Sequence, residues 1–387
     1  MRFIRCLLAL TAVVAVLRAE DKLPDGLYAE FTTPHGGFTA ELHFREAPMT
    51  VANFVGLAEG TLAARDGQPF YTGLKFYRVV PGFVIQSGDA VRSAALPRTE
   101  LTEAEDAAGH PYSFPDEFAP GLHHAAAGVL SMANSGPDTN STEFFVTLGD
   151  STRLNYLHSV FGRVVRGPEV LSRVQPEDAF SIKILRVGAS AQAFQADEAT
   201  FKELAARARK YTGPVEPGPA AHFDDPDKLI PVEPPRAKAF NFKLANYERA
   251  TGLKIVARLS GSPPPAAEDE AAGVYMKTLA TKLGTVRDGV LVAFFAPDDW
   301  RMWIGDDLVP VFLGRAPAAG DLGEGGKLHE AKEALITAAL KAGDEAYAVQ
   351  KTSAEKAGRD APPPAQHLKL QVDALLDALL LRFEPKR

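Results

Sequence analysis

Seven prolines between residues 212 and 235, at positions 214, 217, 219, 226, 231, 234 and 235, divide this chain more sharply than any other feature. Each fixes φ and removes a backbone donor, so neither a helix nor a central strand runs through such a stretch. It predicts an extended connection between two folding units. The 387 residues leave room for a domain on either side. The expected boundaries are residues 25–190 for the first domain, 191–239 for a helix and the proline-rich linker, and 240–383 for the second domain.

A leader is expected ahead of them at residues 1–19. Arg2 and Arg5 precede an uncharged run from Cys6 to Leu17, with Arg18 and Ala19 before acidic Glu20 and Asp21. That run is shorter than the roughly 20 apolar residues of a spanning helix and has the form of a signal peptide. The expected mature chain is exported, periplasmic or secreted, with no membrane-spanning segment. Cys6 is the sole cysteine, so thiol catalysis and cysteine metal sites are excluded once the leader is removed. A formal charge of −7 carries no basic footprint, which argues against nucleic acid as a partner.

Residues 27–32, 38–44, 75–79, 83–86, 143–148 and 160–165 read as short strands separated by turn residues such as Pro81-Gly82. Residues 50–58 read as a helix, with Val51, Phe54, Val55 and Ala58 on one face, Thr50 as N-cap and Gly60 beyond the end. Many short strands predict a barrel or sandwich. Helices are expected at 197–211, 243–250, 271–283, 328–340 and 372–383, and strands at 253–259, 289–295 and 301–304. The alternation after residue 240 predicts an α/β sandwich. Val372, Leu375, Leu376, Leu379, Leu380 and Phe383 form the stripe of a helix docked on a sheet.

Chemistry concentrates in three stretches. The first is Phe76-Tyr77-Arg78-Val79-Val80-Pro81-Gly82-Phe83-Val84-Ile85-Gln86-Ser87-Gly88-Asp89. The second runs from Gly128-Val129-Leu130-Ser131-Met132-Ala133-Asn134-Ser135-Gly136-Pro137 through Thr139-Asn140 to Phe144-Phe145. The third is His158-Ser159-Val160-Phe161-Gly162-Arg163-Val164. In this order and spacing, residues 27–187 resemble the cyclophilin family of peptidyl-prolyl cis/trans isomerases. The resemblance implies an eight-stranded antiparallel β-barrel with two capping helices and a proline-binding groove on its outer face.

It also implies a reaction that needs no cofactor and no metal. Twisting a peptide bond costs about 18–20 kcal/mol in lost resonance, and uncatalysed X-Pro exchange takes tens to hundreds of seconds. At the twisted midpoint the imide nitrogen regains its lone pair. A donor aimed there stabilises the transition state more than the planar ground state, and about 5–6 kcal/mol supplies roughly four powers of ten.

By match to the family motif, Arg78 is that donor and Gln86 its brace. Phe83, Met132, Phe145, Leu154 and His158 belong to the proline-binding surface, with Val84 beside them. Gln86 and Asn134 hydrogen-bond the substrate backbone. The implied partners are unfolded or flexible proline-containing polypeptides.

Three residues depart from the pattern. Arg153 stands where many members carry an aromatic that helps bind cyclosporin, so weak cyclosporin binding is expected. Tyr77 replaces a frequent histidine. Glu143 replaces a common glutamine, and two outcomes are open: a carboxylate pairing with Arg78, or one selecting the residue ahead of proline.

Residues 240–383 carry a second resemblance, to the TPM domain, through Tyr247-Glu248-Arg249-Ala250-Thr251-Gly252-Leu253-Lys254-Ile255-Val256 and Arg287-Asp288-Gly289-Val290-Leu291-Val292. Asp288, Asp306 and Asp307 could supply oxygen to a hard cation, but acids at strand ends are more often solvated. His123-His124 reads as a surface turn. The expected function is isomerisation of X-Pro bonds in exported proteins; the alternative is a proline-recognising scaffold or assembly factor with little turnover.

Overall fold

The computed structural model describes residues 22–62, 64–65, 68–90, 92–94, 113–271, 273–323 and 325–386. The leader expected at 1–19 lies outside them.

The first half opens with strands β1 (Gly26–Thr33) and β2 (Gly36–Leu42), which form a hairpin. Helix α1 (Pro48–Glu59) follows, then a short ribbon of β3 (Ala64–Arg65) and β4 (Gln68–Pro69). Next come β5 (Arg78–Val80), β6 (Val84–Ser87), β7 (Val129–Met132), β8 (Phe144–Thr147), β9 (Val160–Arg166), the one-turn helix α2 (Pro168–Leu171) and β10 (Ser181–Val187). Eight of these strands make one antiparallel sheet in the order β10-β1-β2-β9-β7-β8-β6-β5.

The expected closed barrel is corrected at one seam. β5 and β10 do not pair as strands, so the ladder stops there. Only the chain ahead of each meets, where Phe76 N–H donates to Asp178 O (3.0 Å), Glu177 N–H to Phe76 O (3.0 Å) and Phe180 N–H to Leu74 O (3.3 Å). β5 is too short to extend the ladder further.

The sheet wraps a core that includes Phe31, Phe38, Phe54, Phe144 and Phe161, with Phe31 stacked on Phe38 at 4.5 Å between ring centroids. α1 closes this core with Val51, Phe54 and Val55, and α2 adds Val170 and Leu171. The expected Thr50 cap of α1 is replaced by Glu117. Its carboxylate accepts from the N–H groups of Met49 (3.1 Å) and Thr50 (2.8 Å) and from the Thr50 hydroxyl (2.9 Å). A negative charge there satisfies orphan donors and suits the helix dipole. Gly60, at φ 76°, ends the helix in the left-handed region.

Helices α3 (Ala189–Ala193) and α4 (Glu198–Arg207) lead away, with Asp197 capping α4 through the Thr200 N–H (2.8 Å). The proline-rich stretch is not a free connection. Phe223 and Ile230 are buried in the second core, and β11 (Phe223–Asp224) adds a parallel strand beside Ala257 and Arg258 of the next strand. Prolines forbid a long ladder but not a two-residue one.

The second half comprises α5 (Arg236–Thr251), β12 (Lys254–Ser260), α6 (Val274–Leu283), β13 (Gly289–Phe295), β14 (Asp299–Ile304), α7 (Val309–Leu313), α8 (Lys327–Lys356) and α9 (Pro364–Phe383). Its sheet runs β11-β12-β13-β14, with only β14 antiparallel to its neighbour. Every residue of β13 is buried. Val290, Val292 and Phe294 face the core shared with α5 and α9, while Leu291, Ala293 and Phe295 face α6. Apolar residues on both faces are what a strand between two helical layers requires. The α9 stripe from Val372 to Phe383 is buried as its spacing predicts. Among the described residues no helix is long and apolar enough to cross a membrane.

The two halves interlock. Tyr156, from the segment between β8 and β9, sits in the second core and meets the Tyr247 ring edge-on at 5.0 Å. Its hydroxyl donates to Glu384, which also accepts from His123 at 2.8 Å. Asn246 donates to the Tyr156 carbonyl (2.8 Å). Arg249 reaches Asp138 (2.7 Å) and Asp116 (3.2 Å) from α5.

Candidate active site

The register of four strands builds the site. Arg78 on β5 stands opposite Gln86 on β6, Gln86 opposite Phe145 on β8, and Phe145 opposite Ser131 on β7. Residues directly opposite point to the same side of a sheet, and this row lies on the side away from the core of Phe31, Phe54 and Phe144.

Arg78 is exposed, and its Nη1 donates to Gln86 Oε1 at 2.9 Å. Its guanidinium lies 5.9 Å from the centroid of the Phe83 ring. Arg153 lies over the same ring at 4.4 Å, so two cations neighbour one phenyl ring. Phe145 is buried and meets His158 edge-on at 5.5 Å. His158 Nδ1 is bonded to the Met132 carbonyl (3.0 Å), which fixes the ring. Burial pushes the imidazole down to about 4, so it is neutral at ordinary pH. Leu154, half-buried, ends the 3-10 turn Thr152–Leu154 four residues before His158.

Gln86 is held from behind. Its Nε2 donates to Glu143 Oε2 (2.8 Å) and to the Tyr77 hydroxyl (2.6 Å), which in turn donates to Glu143 Oε2 (2.6 Å). Tyr77 and Glu143, two of the three departures from the family pattern, therefore form one unit. Burial first, then the neighbouring Glu143 charge, raises the Tyr77 pKa. Burial also holds the Glu143 carboxyl above its ordinary value, against the lowering effect of its two hydrogen bonds. No ion pair between Glu143 and Arg78 is formed; the carboxylate acts on the arginine through Gln86.

Two sequence expectations are corrected. Met132 does not line the groove. It stands opposite Phe144 and is fully buried in the core beneath, because side chains alternate and Ser131 takes the outer position. Only its carbonyl reaches the site, through His158. Val84, two residues before Gln86 on β6, has the outward parity instead. Asn134 keeps its side-chain amide for the protein, with Nδ2 donating to Leu157 O at 2.9 Å and lying 3.4 Å from both Asp116 Oδ1 and Asn140 Oδ1.

The histidine pair expected in a surface turn is also placed differently. His124 is fully buried beneath Phe145, its ring 5.8 Å away and nearly parallel. Nδ1 meets Asn155 Oδ1 (3.1 Å) and Nε2 meets the Ser131 hydroxyl (2.9 Å). Burial pushes its pKa down to about 3. Nothing local in the sequence marks this floor; it arises from long-range pairing. Among the described residues no group of three or more His, Cys, Asp or Glu is placed to hold a metal ion, and Asp307 is paired with Arg287 at 3.3 Å.

Comparison with known proteins gives the family of the first half. Residues 28–188 match the family described as cyclophilin type peptidyl-prolyl cis-trans isomerase/CLD. Peptidyl-prolyl cis-trans isomerase-like 1 of Aspergillus fumigatus is 39% identical over 144 residues, which span 37% of this chain and 79% of that protein. Peptidyl-prolyl cis-trans isomerase A of Mycobacterium tuberculosis is 39% identical over 144 residues, spanning 35% of this chain and 72% of the relative. A solved cyclophilin-type isomerase of Cryptosporidium parvum aligns at 26% identity and a TM-score of 0.33, over 42% of this chain and 98% of its own. The chain belongs to the cyclophilin-type peptidyl-prolyl cis-trans isomerases, enzymes of class EC 5.2.1.8.

Proposed function

We propose that this isomerase turns X-Pro bonds of exported polypeptides, with Arg78 donating to the imide nitrogen as the bond leaves planarity. The observation that carries the reading is the Arg78–Gln86–Phe145 row, in which the guanidinium is held at 2.9 Å by Gln86 and stands beside the Phe83 ring. Phe83, Phe145, Leu154 and His158 hold the proline ring while the preceding carbonyl rotates. The apolar wall limits water that would compete for the guanidinium. Because Gln86 fixes one edge of the fork in advance, little reorganisation is needed at the transition state. A neutral His158 adds no charge to repel Arg78. Asn134 contributes through its main chain, its side chain being engaged elsewhere.

The charge pattern of residues 1–19 supports export, and Arg153 over Phe83 supports weak cyclosporin binding. The second half selects or tethers clients.

Magnetisation-transfer NMR on a blocked Ala-Pro peptide tests the mechanism. Removing one preorganised donor costs about 2.7–4 kcal/mol at comparable sites, or roughly 10²–10³ in rate. Arg78→Ala is therefore expected to lose at least a hundredfold. Equal, near-background exchange for both proteins would instead describe a proline-binding scaffold.

A further inference from the structure

Beside the proline groove, where α5 crosses the Asn134–Pro137 turn, lies a cavity of about 370 Å3. Asn134 and His158 from the groove form one side, with Leu157 and Pro137 next to them. Phe242 and Asn246 of α5 form the other. The volume falls within the range of pockets that take small ligands or side chains. Gly136 adopts φ +132°, and a methyl group built there would touch the Phe242 ring at 3.8 Å, so the ring lies against the turn.

A second observation points to an occupant. Asn246 is 1% exposed, and its Nδ2 is fixed on the Tyr156 carbonyl at 2.8 Å. That bond sets the amide's orientation, and Oδ1 is left with no hydrogen-bond partner. Buried acceptors without a donor are rare and unfavourable. Among the other polar side chains at the cavity, Asn134 Nδ2 is held by Leu157 O, His158 Nδ1 by Met132 O and Lys238 Nζ by Glu216. The cavity therefore offers an apolar wall, and Asn246 among its lining residues carries a buried acceptor without a donor.

We propose that this cavity is a second subsite of the groove, taking a residue of the client chain that flanks the X-Pro pair. That residue's backbone N–H donates to Asn246 Oδ1, and its apolar side chain lies against Phe242 and Pro137. The occupant follows from continuity: Asn134 and His158 line both spaces, so a polypeptide seated in the groove needs only to continue past them. The inference rests on the reading of the Arg78 groove as the reacting site. It assigns the second half a direct part in substrate choice.

The test compares a blocked Ala-Pro tetrapeptide with the same peptide extended by two leucines on the amino or carboxyl side. A further version carries N-methyl groups on the extension. The full chain is used, with Ala239→Phe filling the cavity from its rim and Phe242→Ala removing its wall. In the unaltered protein, extension in one direction should raise kcat/KM and tighten binding by fluorescence anisotropy about tenfold. N-methylation should abolish that gain without any change to the protein, and Ala239→Phe should bring the ratio of extended to short peptide to about one. A gain in neither direction overturns the proposal, as does a gain that survives both N-methylation and Ala239→Phe. Failure of the Arg78 reading looks different: exchange of the short peptide would be the same in Arg78→Ala, while anisotropy would still report the cavity.

Discussion

Glu143 gives the most discriminating perturbation of the site. Its Oε2 accepts two hydrogen bonds, from Tyr77 and Gln86, at 2.6 and 2.8 Å. Bonds to a charged acceptor contribute about 1.5–3 kcal/mol each. Glu143→Leu removes both, yet Tyr77 and Gln86 still bond each other at 2.6 Å, so the donors are not wholly orphaned. What is lost is the anchor that keeps Gln86 Oε1 facing Arg78. An energetic loss of about 1.4–2.8 kcal/mol at the transition state follows, a fall of roughly ten- to a hundredfold in kcat/KM. Glu143→Gln keeps an acceptor oxygen and should stay within about threefold.

The pH profile separates this linkage from simple packing. Burial raises the Glu143 pKa, so the carboxylate takes up a proton at a higher pH than an ordinary glutamate and loses acceptor capacity there. Activity should show a shallow acid limb at higher pH than an ordinary glutamate would give, no deeper than the loss in Glu143→Gln and missing in that variant. Stability moves the other way. A group whose folded pKa is raised contributes stability below its unfolded pKa and loses it as pH rises through the folded value. Acidification should therefore lower activity while this group's contribution to stability grows. Magnetisation-transfer rates and urea midpoints between pH 4 and 8 check both. An unchanged kcat/KM in Glu143→Leu across that range, or an acid limb persisting in Glu143→Gln, refutes the linkage.

Two further outcomes follow from buried charge. Arg249→Ala leaves fully buried Asp116 without its cation, though Asn140 still donates to it at 2.7 Å and the Asp138 N–H at 3.0 Å; a loss of about 2–4 kcal/mol is expected by urea titration, within the usual cost of breaking a buried pair, and a loss below about 0.5 kcal/mol would show the clamp to be idle. His124, neutral in the fold with its pKa lowered to about 3, makes the unfolded chain bind the extra proton below about pH 6.5. Stability should rise with pH across that window by up to about 1.4 kcal/mol per pH unit from this residue alone, and His124→Asn should flatten the acid slope.

Much of the fold was legible because periodicity reports burial directly. The unbroken apolar run of β13 and the Val372–Phe383 stripe of α9 needed no tertiary knowledge. β7 was harder: four residues, Val129–Met132, carry too little pattern to fix which side faces the core, and the error in placing Met132 is one of strand parity set by pairing with β8. The cap of α1 was misread for a similar reason, since Glu117 lies 67 residues away from Thr50. Within the site, Arg78, Gln86, Phe83, Phe145 and His158 came together where local motifs placed them. Tyr77 and Glu143 were visible as departures, but their joint role emerges only when β5, β6 and β8 lie side by side. Asn246 and Phe242 carried no local signal at all; their relation to the groove depends on the docking of α5.

The insertion of Tyr156 into the neighbouring core bears on how this enzyme is to be handled at the bench. A tyrosine that serves as a keystone for another module makes the boundary between the halves a poor place to cut. An excised barrel would carry its bare ring into solvent and slacken the very loop that ends in His158. Kinetics from such a fragment would describe a different catalyst, and the intact polypeptide is the unit in which turnover has meaning.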